Sequence, residues 1–410
     1  MNKPHSTQPG NGAETALLLS GGGARAAYQV GVLQAIGQLQ AEHLGPDATS
    51  PFEIIVGTSA GAINAAMLAA HADHFGQAIQ RLVDLWSQLE VPQVYHASTW
   101  QALQAGLRWL GLGLGGWLPN SSKRSRQPRS LLNNQPLCDL LGRELPLDRV
   151  PSLLDSGHLR ALAVTTSSYS TGEHVTFFDG PIDMQDWTRD RRRAVRTPIC
   201  IEHLMASAAI PFLFPAVRVK AEGQAAYYGD GSMRQVAPIS PVIHLGARRV
   251  LVIGVGRELE PSDASAVEPP SYPSLAQVAN HALSSIFLDT LTVDVERVQR
   301  INDMLDLIEP EHRPEVGLQH IELLTLTPSC RLDRIAARHT RLLPPAMRLL
   351  LNTLGMRGGK AGSRSSGLAA YLLFHADFTQ ELMALGRSDT LAQKDAICHF
   401  FGWNAPAPAG

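Results

Sequence analysis

Apolar residues in the first 90 positions form a pattern that occurs twice. Two short runs, at 16–20 and 52–56, are mostly apolar, as expected for strands that are buried on both faces. Each is followed by a longer stretch in which apolar residues recur every three or four positions, which predicts helices over 24–40 and 60–71. A further amphipathic helix is predicted over 77–89. Strands that alternate with helices in this way are typical of a parallel sheet covered by helices, so the predicted fold class is α/β.

The remaining pattern extends this sheet and adds helices. Apolar and polar residues alternate over 159–178 around a Ser-Thr-Gly turn at 170–172, which predicts a β-hairpin. Further buried strands are predicted at 249–255 and 321–327. The helices predicted beyond the first 90 residues cover 201–209, 274–308, 336–353 and 368–385.

Local composition divides the chain into four parts. Residues 1–14 are polar and contain several Pro, Gly and Asn residues, which predicts a disordered N-terminus. Residues 257–273 are rich in prolines, serines and acids, which predicts an exposed linker. We therefore expect a main α/β domain at 15–256 and a mostly helical C-terminal region at 274–410 that packs on it.

Overall composition excludes several classes of protein. The hydrophobic fraction of 44% and the charged fraction of 18% are those of an ordinary globular protein. The net charge of −2 does not suit a protein that coats nucleic acid, so no nucleic-acid partner is predicted. No stretch approaches about 18 uninterrupted apolar residues, so no transmembrane helix is expected. The four cysteines form no C-x-x-C pair, which argues against a zinc site and a disulfide scaffold and predicts a cytoplasmic location.

The clearest candidate for chemistry follows the second predicted strand. The sequence Gly-Thr-Ser-Ala-Gly at 57–61 is a G-x-S-x-G motif, in which a serine stands on a tight turn between strand and helix. Glycines flank such a serine because no Cβ fits where the backbone turns back on itself. Ser59 is therefore the candidate nucleophile, and the elbow around it consists of Gly57, Thr58, Ala60 and Gly61.

A glycine-rich turn follows the first predicted strand and contains Gly21, Gly22, Gly23, Ala24 and Arg25. A row of glycine N–H groups at the start of a helix suits a developing oxyanion. The rival interpretation is a dinucleotide-binding turn, which requires an acidic residue at the end of the second strand. The serine motif stands at that place, so the two turns together favour acyl transfer over nicotinamide binding.

An activated serine needs a base, and Asp230 is one candidate. It follows two tyrosines at 227–228 and precedes Gly231 and Ser232, in a turn expected at the same sheet edge as Ser59. A solvated aspartate has a pKa of about 3.9, which is too acidic for an efficient base near neutral pH. Burial beside the aromatic strand is expected to raise that pKa.

Three separated blocks of the chain resemble the patatin-like phospholipase family. They are Gly-Gly-Gly-Ala-Arg-Ala at 21–26, Gly-Thr-Ser-Ala-Gly at 57–61 and Asp-Gly-Ser at 230–232. Two further blocks that resemble the family lie at 207–211 and within 130–137. The resemblance covers roughly residues 14–256, and the segment 257–410 contributes nothing to it.

The resemblance implies a three-layer α/β/α sandwich around a mainly parallel sheet, with 15–256 as the catalytic domain. It implies a lipid ester substrate, Ser59 as nucleophile and Asp230 as base, without histidine and without a cofactor. The turn at 21–25 would supply the oxyanion hole, and no acidic loop of the chain calls for calcium. Two positions depart from the family's pattern, because Ala26 replaces a common glycine and Ser232, whose hydroxyl is placed to hydrogen-bond the aspartate, replaces a glycine or alanine.

One segment leads to a hypothesis about membranes. Residues 100–118 are rich in Trp, Leu and Gly, and basic residues follow up to position 129. Tryptophan is favoured at membrane interfaces, so 100–129 is interpreted as an apolar flap that makes peripheral membrane contact. A core segment with close-packed glycines is the alternative.

Three other functions are compatible with these residues. An α/β-hydrolase with a Ser-Asp-His triad has the same chain order, although His203 and His375 are expected to lie in the core, His375 on a helix face. An acyltransferase would use every residue named above and would differ only in its products. A catalytically silent lipid-binding protein would keep the fold without the reaction.

Overall fold

The computed structural model describes residues 14–96, 130–221, 223–256, 278, 281, 290–309, 311–353 and 367–403. Predictions for the N-terminus, the tryptophan-rich flap and the linker lie outside these residues, apart from a few positions at their ends. The strands are β1 Thr15–Leu19, β2 Ile54–Thr58, β3 Ala161–Ser168, β4 His174–Asp179, β5 Trp187–Arg189, β6 Arg192–Arg196, β7 Val217–Ala221, β8 Gln224–Asp230, β9 Arg249–Ile253 and β10 Glu322–Leu326.

The helices include the predicted ones and several others that the sequence analysis did not predict. They are α1 Ala27–Leu44, α2 Ala60–Ala69, α3 Phe75–Ser87, α4 Val91–Val94, α5 Gln135–Glu144, α6 Val150–Asp155, α7 Ile201–Ser207, α8 Ser240–His244, α9 Thr290–Asp306, α10 Leu332–His339, α11 Pro345–Thr353, α12 Gly367–Leu372, α13 Ala376–Leu391 and α14 Lys394–Phe401. Short 3₁₀ turns lie at Gly23–Ala26, Leu147–Arg149, Gly231–Arg234, Arg313–Val316 and Thr340–Leu342. None of the helices in the described part of the chain is long and apolar enough to cross a membrane.

All of these strands belong to one mixed sheet in the order β10-β9-β1-β2-β3-β4-β6-β5, with β8 paired to β3 and β7 to β8. Neighbours from β10 to β3 run parallel, and β3–β4 is the predicted antiparallel hairpin. The register aligns Thr58 of β2 with Thr165 of β3, and the next residue, Thr166, with Asp230 of β8. The serine motif and the aspartate therefore emerge at the same edge of the sheet, as predicted.

Helices cover both faces of the sheet. Alternate residues of β1 contribute to two separate cores, with Leu17 in the core beneath α1–α3 and Leu18 in the core beneath α8 and α9. Strands buried on both faces need apolar residues at consecutive positions, which is why β1 and β2 show no polar alternation. The predicted three-layer α/β/α arrangement is confirmed.

The C-terminal region is largely helical, as predicted, and it shares the sheet and the core. Strand β10 pairs with β9, and α13 packs closely against α1. A Cβ on Gly31 of α1 would lie 1.9 Å from the Met383 carbonyl oxygen, and one on Gly386 would lie 2.2 Å from that of Tyr28. Glycines on both helices thus allow the two backbones to touch. The boundaries of the predicted domains stay a prediction.

Two predicted C-terminal helices are interrupted. The segment predicted as 336–353 is divided by a 3₁₀ turn and Pro344, which has no N–H to continue a helix. The segment predicted as 368–385 ends at Leu372 and resumes at Ala376. His375 is therefore not on a helix face as expected. It caps the second helix, because its Nδ1 accepts the Asp377 N–H at 3.2 Å.

Candidate active site

Ser59 stands on a strained turn between β2 and α2. Its backbone has φ 56° and ψ −129°, a conformation that residues with a Cβ rarely adopt. A Cβ on Gly57 would lie 2.5 Å from the Cα of Ala62, and one on Gly61 would lie 2.5 Å from the Ser20 carbonyl oxygen. The flanking glycines are thus required by close backbone contacts on both sides of the serine. Strain kept at one residue by its surroundings is characteristic of functional sites.

The elbow is held by hydrogen bonds to α7 and β3. The Ser59 N–H donates to Ser207 Oγ at 2.8 Å, and that hydroxyl donates to the Thr165 carbonyl at 2.7 Å. Thr58 Oγ1 lies 2.7 Å from Thr165 Oγ1 and accepts from Gln235 Nε2 at 3.1 Å. Sequence analysis missed the roles of Ser207 and Gln235, although Ser207 begins one of the blocks that resemble the family.

Asp230 ends β8 and is fully buried. Its Oδ1 accepts the Ser232 N–H at 2.9 Å, whereas no full hydrogen bond reaches Oδ2 from any described residue. Burial raises the pKa of this carboxyl to about 6, and interactions with Ser59 and with the N–H and hydroxyl of Ser232 oppose that shift. Ser59 is thus close enough to influence the carboxyl, although the contact falls short of a full hydrogen bond. Contacts of this kind often tighten only when substrate binds.

The glycine-rich turn lies beside the elbow. Gly21 to Arg25 are all buried, and the 3₁₀ helix begins at Gly23 with φ 57°. The Arg25 N–H donates to the Gly22 carbonyl at 3.2 Å, so it is already engaged. No hydrogen bond joins the N–H of Gly22 or Gly23 to another described residue. The same holds for the N–H groups of Gly21 and Ala24, so among the described residues Arg25 alone of the five predicted donors is already engaged. The Arg25 side chain points away from the serine, toward the C-terminal region.

An apolar cavity opens at Ser59 and Gly23, and together with the open solvent at its mouth it encloses about 530 Å³ that no protein atom occupies. Its walls come from several parts of the chain that are distant in sequence. Residues on α2 and α3, on α5 and after α7, and in the break before α13 contribute, among them Ile63, Trp86, Leu140, Phe214 and Phe374. Sequence analysis did not assign these residues to a site. The amphipathic pattern over 77–89 predicts a buried helix face, but it does not distinguish a face that lines a cavity from one that packs in the core.

No histidine of the described residues lines this cavity. His203 Nδ1 accepts the Cys200 N–H at 3.1 Å, and its ring packs 4.5 Å from that of Phe177. Burial lowers the pKa of His203 to about 4, as expected for a core histidine. Within the described ranges, no three His, Cys, Asp or Glu side chains are grouped to hold a metal ion.

A family model described as Patatin-like phospholipase matches residues 17–243, which is more than half of the chain. No curated protein sequence matches the chain.

Two solved structures are similar to the chain. VipD from Legionella pneumophila is 13% identical with a TM-score of 0.31, and the match covers 91% of this chain and 67% of VipD. The type III effector ExoU is 15% identical with a TM-score of 0.22, and the match covers 97% of this chain and 90% of ExoU. Both similarities are low. The family match spans the serine elbow, the glycine turn and Asp230, and the chain therefore belongs to the patatin-like phospholipase family of lipid acyl hydrolases.

Proposed function

We propose that the chain cleaves the ester bonds of phospholipids, lysophospholipids or related lipid esters through a Ser59–Asp230 dyad. Ser59 Oγ attacks the ester carbonyl while Asp230 takes its proton, and the N–H groups of Gly22 and Gly23 hold the oxyanion. Collapse of the tetrahedral intermediate releases the alcohol, which receives the proton from Asp230. Water, deprotonated by Asp230, then attacks the acyl-serine, and the acid leaves as Ser59 is restored.

The observation that carries this proposal is that a strained serine and an open glycine turn line one apolar cavity. The pKa of Asp230 also supports the proposal, since a base is most effective when its pKa is near the working pH. Burial raises the pKa of Asp230 to about 6, which removes the main objection to an aspartate as base. The cavity itself favours an acyl chain, because burying apolar surface contributes about 25 cal/mol per Å².

The proposal is tested by Ser59→Ala and Asp230→Asn, assayed on a chromogenic ester and on a lysophospholipid. We expect Ser59→Ala to abolish turnover and Asp230→Asn to lower kcat by about 10²–10⁴, the usual contribution of a general base. A fluorophosphonate probe should label wild type and spare Ser59→Ala. Folded variants with wild-type turnover would refute the dyad, and loss of activity on replacing one particular histidine would favour a triad.

Two alternatives have separate readouts in the same experiment. Absence of a fluorophosphonate adduct on wild type would identify a silent lipid-binding protein. Transfer of the acyl group to an added alcohol in preference to water, seen by product analysis, would identify an acyltransferase.

We further propose that the protein is cytoplasmic and that the segment 100–129 contacts the membrane from which the lipid is taken. All four cysteines are free, in keeping with a reducing compartment. The flap lies outside the described residues, so its support is the sequence alone. Liposome co-sedimentation should weaken in Trp109→Ala/Trp117→Ala, and binding equal to that of wild type would remove the flap hypothesis.

A further inference from the structure

The Arg25 side chain connects the glycine turn to a distant part of the chain. Only 2% of the side chain is exposed. Its guanidinium pairs with the Asp333 carboxylate on α10, donates to the Gly367 carbonyl at 3.3 Å, and lies 4.2 Å from the centroid of the Tyr371 ring. Every one of these partners lies beyond the segment 17–243 that the family model matches.

The same part of the chain also supports the turn through its backbone. A Cβ on Gly23 would lie 2.3 Å from the Tyr371 carbonyl oxygen, so the turn rests directly on α12. Two successive features of the turn, the backbone of Gly23 and the side chain of Arg25, are thus in contact with the C-terminal region. The position of the turn depends on that contact surface.

A buried guanidinium must be paired, because an isolated charge in a protein interior is strongly unfavourable. Among the described residues, Asp333 supplies the carboxylate of this pair, and 19% of its side chain is exposed. Without that carboxylate the guanidinium would have to move toward solvent. Because Arg25 is only two residues from Gly23, such a movement would pull on Gly23, which lines the cavity.

We propose that Asp333 is a positioning residue for the oxyanion turn and that it acts through Arg25. The inference rests on the proposed function, since it assumes that this turn holds the oxyanion. It makes the C-terminal region a required part of the reaction centre rather than an accessory to it. Misplacing a reacting group by about 1 Å is known to cost about 10²-fold in rate.

The test compares Asp333→Asn, Asp333→Glu and Arg25→Gln with wild type on a chromogenic ester. We expect Asp333→Asn to lower kcat by about 10- to 100-fold with KM within about twofold, because the oxyanion forms only in the transition state. Asp333→Glu keeps the charge and should recover part of the loss. The double variant Arg25→Gln/Asp333→Asn should be no slower than Arg25→Gln, since both changes remove the same interaction.

Asp73→Asn is the matched control. It breaks another partly buried ion pair, Asp73 with Arg149 at 2.6 Å, beyond the far end of α2. Asp73→Asn should lower the melting temperature less than Asp333→Asn, because the Arg149 side chain is 34% exposed, and it should leave kcat unchanged. Equal kcat losses in the two variants, or additive losses in the double variant, would overturn the positioning role.

Hydrogen exchange measures the position of the turn without any turnover. Peptides that contain residues 20–26 should exchange faster in Asp333→Asn than in wild type or Asp73→Asn. Unchanged exchange would overturn the inference even if the enzyme were active. Faster exchange in Asp333→Asn, found together with a wild-type turnover that does not depend on Ser59, would uphold the coupling and refute the proposed function instead.

Discussion

The two turns at the sheet edge are held in different ways. The elbow at Ser59 is held by residues of the main domain, through Ser207 on α7 and Thr165 on β3. The glycine turn is held by the C-terminal region, through Tyr371 and Asp333. The candidate nucleophile and the candidate oxyanion donors thus contact different parts of the chain. The family match therefore covers every candidate reacting group but omits residues that contact the glycine turn.

The largest expected effect comes from Asp230→Asn, which should lower activity but raise the free energy of unfolding. Its pKa is raised by burial to about 6, so the folded protein favours the protonated form. That part of the stability is present below about pH 4 and is lost as pH rises through about 6. Asp230→Asn cannot ionise, so above pH 7 its free energy of unfolding should exceed that of wild type by up to about 3 kcal/mol.

Urea unfolding of wild type and Asp230→Asn between pH 4 and 8 measures this difference. Asp73→Asn, which breaks a favourable ion pair, should lose stability and serves as the control. A variant of Asp230 that is inactive and also less stable at pH 8 would contradict the assigned cause of the pKa shift.

Ser207→Ala tests whether the hydrogen bond from the Ser59 N–H to Ser207 fixes the elbow. It removes the acceptor of the Ser59 N–H, and an unsatisfied buried donor costs about 1–3 kcal/mol. The free energy of unfolding should fall by that amount, and kcat should fall with it because the elbow is no longer fixed. Ser156→Ala removes an exposed serine hydroxyl at a helix end, which donates to the Leu153 carbonyl, and should change kcat little. Equal kcat in both variants would show that the Ser207 bond does not position the nucleophile.

Phe374→Leu tests the contribution of the C-terminal region to the cavity wall. The Phe374 ring stacks at 6.4 Å on that of Trp86, and both line the cavity. A smaller side chain should shift the ratio of kcat/KM values toward longer acyl chains, by about tenfold. Phe378 is buried in the same region but does not line the cavity, so Phe378→Leu should lower stability without changing the ratio. An identical shift in both variants would place the acyl chain elsewhere.

The smallest expected effect comes from Tyr371→Phe. The hydroxyl accepts from Arg25 Nη1 at 3.4 Å, a long bond, while the ring keeps its contact with the guanidinium. We expect kcat within about twofold of wild type and a change in unfolding free energy below about 1 kcal/mol. Tyr371→Leu removes the ring contact as well and should cost about 0.5–2 kcal/mol. A large kcat loss in the Phe variant would move the main support of Arg25 from Asp333 to the tyrosine hydroxyl.

The sequence by itself determined the layered α/β fold and the residue types of the site. Short apolar strands followed by amphipathic helices can pack in few ways, and parallel strands bring their carboxyl ends to one edge. The glycines around Ser59 were recognisable because the tight turn admits no side chain there. These signals are local, since each depends on residues adjacent along the chain.

Only the tertiary structure decided what surrounds those turns. Asp333 lies 308 residues from Arg25 along the chain and Phe374 lies 288 residues from Trp86, and nothing in their local sequence marks them. Even the break at His375 depends on a side chain bonding to a backbone N–H that competes with helix propagation. Burial of Asp230, the pairing of Arg25 and the walls of the cavity all arise from contacts between segments distant in sequence. Local sequence patterns do not encode such contacts, because packing energy depends on which surfaces meet in the folded protein.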